Sequence, residues 1–165
     1  MSTWIVIFIV LALMGSFFWI MPSPRDKKRM VLRQKAMHLG LKIRFPDKGL
    51  KDRLIRFEDE VLGAVMYELF IVARIKPDIS GAFFIIRDDK AIGWRFIEVS
   101  LTEGLQSVSD RILRKLEKLP ENFSLAMLSS NGVSVFWDER GEVECVDQLF
   151  TVMDEVNDIL LLMSK

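Results

Sequence analysis

The sequence predicts an α+β protein: an N-terminal transmembrane helix and a basic juxtamembrane helix, then an antiparallel sheet packed against two later helices. Three observations carry this expectation. Eighteen residues without a charge, Trp4 to Met21, stand near the start of the chain. Short alternating runs broken by turn residues fill the stretch from 41 to 100, as strands do. After Thr102 the apolar spacing becomes helical, is interrupted by one hairpin signal, and becomes helical again. Strands first, then helix, hairpin and helix, make an α+β arrangement. The implied division is 1–21 as anchor, 22–40 as basic helix and 41–165 as one domain.

At a rise of 1.5 Å per residue, about 20 apolar residues cross a hydrocarbon core of about 30 Å, so the Trp4–Met21 run just spans. Trp4 and Trp19 sit near its two ends, where indoles favour the headgroup layer. A cleavable signal peptide fits less well, because the positive charge follows the apolar run and Met21-Pro22-Ser23 lacks the small-residue cleavage pattern. Ala12 and Ser16 lie four apart with Gly15 beside them, a small-residue face through which two such helices could form a homodimer.

Arg25, Lys27, Lys28, Arg29, Arg33 and Lys35 follow the apolar run at once. Basic flanks stay on the cytoplasmic side, so the expected topology is N-terminus outside and the remainder cytoplasmic, as in a bacterial inner membrane. The same six side chains can face an anionic leaflet, making the lipid bilayer a second expected partner. Although the chain carries 23 basic and 23 acidic residues, residues 25–56 hold twelve basic against three acidic. The remainder beyond residue 56 is correspondingly acidic. Nucleic acid is not an expected partner, since the basic stretch has no interleaved aromatics for bases to stack on. Cys145 is the only cysteine, so no intrachain disulfide forms.

Ser23 reads as the N-cap of a helix from Pro24 to about Leu39, with Asp26 completing a short capping box and Gly40 as terminator. Residues 41–45 alternate and read as a strand closed by a turn at Pro46-Asp47-Lys48-Gly49. Residues 50–60 read as a short strand or irregular connection. Residues 63–75 read as a strand with Val65, Tyr67, Leu69, Ile71 and Ile75 on one face and Glu68 and Arg74 on the other, a buried helix being the competing reading. Glu68 near the middle of so short a run argues against a second membrane span.

A hairpin is expected over 82–99, with a turn at Arg87-Asp88-Asp89-Lys90 and Gly93 as a bulge position. Its aromatics, Phe83, Phe84, Trp94 and Phe96, are either core or a binding surface. Leu105, Val108, Ile112, Leu116 and Leu119 mark a helix that Pro120 ends. Asn131-Gly132 is the preferred pair for a type I′ hairpin turn. Glu139 to Glu142 read as another turn, and Val146, Leu149, Phe150, Met153, Val156, Leu160 and Met163 as the apolar stripe of a last helix.

The chemistry-bearing residues point to no reaction. Zinc needs three or four His, Cys or acidic ligands, and His38 and Cys145 are single and far apart. No phosphate-loop or dinucleotide fingerprint occurs. No cofactor, metal or catalytic residue is therefore expected. The expected role is that of a single-pass membrane adaptor, assembly factor or accessory protein acting through contacts of its cytoplasmic domain with another membrane or cytoplasmic protein. The alternatives are a membrane-tethered enzyme whose site spacing does not reveal, and an anionic-lipid-sensing domain.

Overall fold

The computed structural model spans the chain and describes residues 2–20, 23–54, 64–72, 77, 79, 81–88, 93–97 and 101–163. They fall into two compact units, Met1–Val31 and Leu32–Lys165. The expectations for Arg74, Ile75, Asp89, Lys90, Val99 and residues 55–63 lie outside the described residues.

The first unit holds helix α1 (Ser2–Ile20) and the start of α2 (Pro24–His38). The side chains of α1 are described from Thr3 to Leu13, and every one is exposed. Among the described residues no helix is long and apolar enough to cross a membrane. At the start of α2, Ser23 Oγ accepts from the Asp26 N–H at 3.2 Å and donates to the Asp26 carboxylate at 2.7 Å. That hydrogen bond holds the Asp26 carboxyl below its ordinary value. Ser23 thus caps the helix as expected, with the Asp26 carboxylate meeting the Ser23 hydroxyl.

The second unit begins inside α2, not at residue 41. Leu32 and Ala36 are fully buried in its core, and the helix then stops as Gly40 predicts. Gly40 has φ +87°, its N–H bonds to Met37 O at 3.0 Å, and the Leu41 N–H bonds back to Ala36 O at 3.0 Å. This six-to-one and five-to-two pair is a Schellman ending, and buried Leu41 supplies its apolar contact.

Next come β1 (Lys42–Arg44), α3 (Lys48–Leu54), β2 (Val65–Phe70), β3 (Ala82–Asp88), β4 (Gly93–Phe96), α4 (Glu103–Leu116), β5 (Phe123–Ser129), β6 (Gly132–Trp137) and α5 (Glu144–Leu162). One departure is α3, which stands where a turn and a strand or irregular connection were expected. Asp47 Oδ1 accepts from the Leu50 N–H at 2.8 Å, so Asp47 is a helix N-cap rather than a turn residue.

The six strands form one sheet in the order β1-β2-β6-β5-β3-β4, and every adjacent pair is antiparallel. Alternation sorts its side chains into two apolar faces. Val65, Tyr67, Phe83, Ile85, Val133, Val135 and Trp137 meet the helices. Ala64, Met66, Phe84, Ile86, Leu125 and Phe136 form a second buried cluster on the opposite face, with Leu50 of α3 and Ile97 packed on it. The helix-covered face carries more than the two later helices, since the last turns of α2 join α4 and α5 there.

Gly93 is not a bulge, because it pairs in regular register with Asp88. The irregularity lies in β5 between Phe123 and Leu125. An extra residue there reverses the alternation, which turns Phe123 onto the helix-covered face beside Ala126 and Leu128. Phe123 then packs on Trp137 with ring centroids 4.9 Å apart, and Trp137 packs on Tyr67 at 5.6 Å.

The hairpin between β5 and β6 forms where expected but one residue out of register. Ser129 pairs with Gly132, so the loop residues are Ser130 and Asn131. Gly132 is needed for another reason. It has φ +136°, and a Cβ built there would lie 2.2 Å from the Leu69 carbonyl oxygen of β2.

The α5 stripe matches its sequence pattern and adds one polar member, Asn157, which is buried. Its Oδ1 accepts from the Val133 N–H and its Nδ2 donates to Leu69 O, each at 3.1 Å. Two backbone groups on neighbouring strands thus depend on one side chain. Asn157→Leu keeps the bulk and removes both bonds, so it should lower stability by about 2 kcal/mol. Urea unfolding checks this, and an unchanged midpoint would mean the backbone groups find other partners.

Candidate functional site

The domain buries one carboxylate in an ionic clamp. Glu139 follows β6 in a segment that bends sharply. The Arg140 N–H bonds to Asp138 Oδ1 at 2.9 Å, and Glu139 itself has φ +62°. The Arg140 carbonyl accepts from Trp137 Nε1 at 3.1 Å and from the Asn122 side-chain amide, which ties the bend to the sheet. These constraints aim the Glu139 side chain inward.

There Arg33 of α2 donates through Nε to Oε1 at 2.6 Å and through Nη2 to Oε2 at 2.7 Å. Tyr67 of β2 donates its hydroxyl to the same Oε1 at 2.9 Å. The Glu139 side chain is 1% exposed, while Arg33 keeps 32% exposure and lies 5.5 Å from the centroid of the Phe45 ring. Burial first, and then the adjacent carboxylate, push Tyr67 far above the ordinary tyrosine value of 10.0. The hydrogen bond to Glu139 likewise raises Arg33. A carboxylate held on both oxygens beside a phenol that keeps its proton is a clamp, not a general base. Outside it, Lys35 and Asp147 pair at 3.0 Å across α2 and α5.

A second polar group occupies the opposite face of the sheet. Glu68 of β2 is 8% exposed, and Ser134 of β6 sits opposite it in register and is also buried. Arg44 of β1 brings Nε to 3.3 Å from Glu68 Oε2, yet that oxygen has no aligned hydrogen bond. These groups line a depression of about 260 Å³ together with Met127, Ser129 and Asn131.

Of the six cations named from the sequence, Arg25, Lys27 and Lys28 are exposed and Arg29 is half-buried. Arg33 and Lys35 are committed to Glu139 and Asp147 inside the second unit. Phe83 and Trp94 are core residues, 8% and 5% exposed, while Phe96 is half-buried and packs against the same cluster. Arg87 stacks over Trp94 at 5.1 Å and donates to the Leu119 and Pro120 carbonyls beyond α4, fixing the β3–β4 hairpin to that helix. Ala12 is exposed, while the side-chain surroundings of Gly15 and Ser16 lie outside the described residues. His38 is exposed, Cys145 is half-buried, and among the described residues no group of His, Cys, Asp and Glu could hold a metal ion.

Sequence reasoning placed Arg33 among the topology charges, Tyr67 and Glu68 on a strand, and Glu139 in a turn. What it lacked was the convergence of Arg33, Tyr67 and Glu139 on one face of the sheet.

Fold and clamp together define an α+β protein with a six-stranded antiparallel sheet and a buried Arg–Glu–Tyr centre. No protein-family model, curated protein or solved structure matches the chain.

Proposed function

We propose that this chain is a membrane-attached accessory protein, in which the Ser2–Ile20 helix is the anchor and the unit from Leu32 onward works by contact with another protein. The observation that carries the reading is the surface of α1. Trp4 to Leu13 are ten consecutive apolar residues, all exposed and distributed around the whole helix. A helix apolar on every side is stable where protein or lipid replaces water. The sequence continues the uncharged run to Met21, and the basic residues from Arg25 favour a cytoplasmic location for the rest of the chain.

Cysteine labelling tests the attachment and its direction. With Cys145→Ser as background, Arg140→Cys places one thiol at a side chain that is 75% exposed. In intact bacterial cells a membrane-impermeant maleimide should label it only after lysis. Labelling without lysis overturns the orientation, and recovery of the chain in the soluble fraction overturns the anchor.

A further inference from the structure

The second unit carries an apolar surface that its own core does not use. Phe45 follows β1 and is 68% exposed, the one exposed ring among the described phenylalanines of that unit. Its place is fixed from the carboxyl side, since Pro46 is buried and restricts the residue before it to extended conformations, and Asp47 then caps α3. The Arg33 guanidinium stands 5.5 Å from the ring centroid, and Glu139 holds its Nε and Nη2. Met37 lies one helical turn beyond Arg33 on the same side of α2 and is 57% exposed. Two exposed apolar side chains thus flank one guanidinium.

Charge and chain length say what covers this surface. Residues 33–51 hold six cations against Asp47 alone. Three of them, Lys42, Arg44 and Lys48, are exposed. Apolar tips beside cations suit the boundary of an anionic leaflet, where the tips enter the acyl edge and the charges meet lipid phosphates. Leu32 is only twelve residues beyond Ile20, and from Pro24 onward those residues are helical and advance about 1.5 Å each. A chain anchored through α1 therefore keeps this unit at high local concentration beside the lipid.

We propose that the face formed by Arg33, Met37 and Phe45, with Lys42, Arg44 and Lys48 following in the chain, docks on an anionic leaflet. Phe45 and Met37 enter the headgroup boundary and the cations meet phosphates. This deepens the membrane reading and rests on it; the addition is that the folded unit itself touches lipid.

The test uses the full chain in vesicles of phosphatidylcholine, with or without phosphatidylglycerol, that contain a nitroxide-labelled lipid as quencher. In a Cys145→Ser background, Met37→Cys carries a nitrobenzoxadiazole fluorophore. Asp110→Cys is the control, an exposed site on α4, which packs at β4 on the far edge of the sheet. The reporter at residue 37 should be blue-shifted and quenched in the anionic vesicles, and the one at residue 110 should stay wet. Phe45→Ser should lower the ratio of docked to undocked reporter about tenfold, the effect of withdrawing one phenylalanine side chain from an apolar phase, with circular dichroism unchanged. Neutral vesicles should quench weakly, as should salt at about 1 M, where screening acts within about 3 Å. Flotation of the chain with the vesicles reads the anchor separately. A chain that does not float overturns the anchor and the docking with it, whereas a chain that floats with residue 37 wet, as a surface kept for a protein partner would be, overturns the docking alone. Equal quenching at residues 37 and 110, or indifference to Phe45→Ser or to the anionic lipid, also overturns it.

Discussion

Replacing Gly132 by alanine should cost about 3 kcal/mol or more. Two effects add at this position. The backbone has φ +136°, a region that side-chain-bearing residues occupy only with strain, and the new methyl would stand 2.2 Å from the Leu69 carbonyl oxygen. The obstacle is backbone in a neighbouring strand, and rotating a side chain cannot relieve it. Moving β2 away would also disturb the hydrogen bond from the Ile71 N–H to Asn131 O at 2.8 Å and the pair held by Asn157. The expected result in urea is a large drop in midpoint with an unchanged slope, or failure to fold. The comparison Asn131→Ala changes the loop without meeting β2 and should cost under about 1 kcal/mol. Equal effects at the two positions would show that the turn, and not the approach to Leu69, sets the requirement.

Removing the Glu139 carboxylate should have the next largest effect. Glu139→Ala leaves the Tyr67 hydroxyl buried without its acceptor and Arg33 without its partner, which should cost about 3 kcal/mol, moderated by water reaching the partly exposed Arg33. Glu139→Gly loses the same bonds but relieves the left-handed backbone at φ +62°, so it should be less harmful than alanine by about 1 kcal/mol. A glycine variant as unstable as the alanine variant would remove the backbone part of this account.

Tyr67 is the only tyrosine in the chain, so its ionisation can be followed directly by tyrosinate absorbance. The folded value is raised, so the associated stability is complete below the unfolded value of 10.0 and is lost as pH rises toward the folded one. Native protein should therefore show no tyrosinate signal at pH 10.0, where unfolded protein is half-ionised, and Tyr67→Phe should flatten the alkaline decline in stability. A native titration centred near 10.0 would mean that the phenol is not held in the clamp.

Distance along the chain separates the features legible in the sequence from those that are not. The α4 stripe, the Ser23 cap and the Gly40 ending were readable because each depends on residues within a few positions. The Asp47 cap was local too, but Pro46-Asp47-Lys48-Gly49 satisfies both a turn and a helix start, and the helix takes it. Asn131-Gly132 marked the right hairpin with the wrong register, because the demand for glycine comes from β2, over sixty residues earlier in the chain. The clamp was out of reach for the same reason, since Glu139 meets Tyr67 across 72 positions and Arg33 across 106. The aromatics of β3 and β4 could not be assigned because both faces of the sheet are buried. Alternation sorts side chains between two faces but does not tell which face is wet.

The strand order has a consequence for how the domain comes into being. Joining β1-β2 to β5-β3-β4 falls to β6, which is made after every other strand. During synthesis β2 can pair with β1, and β3 with β4, yet the two parts stay unjoined until residues 132–137 have left the ribosome. Until then β2 offers an unpaired, apolar edge, the kind of surface that favours misassembly or a chaperone's grip. Folding of this domain is therefore dominated by closure of distant contacts, and a ribosome stalled before residue 132 would hold a chain with two separate sheets' worth of strands and no shared core.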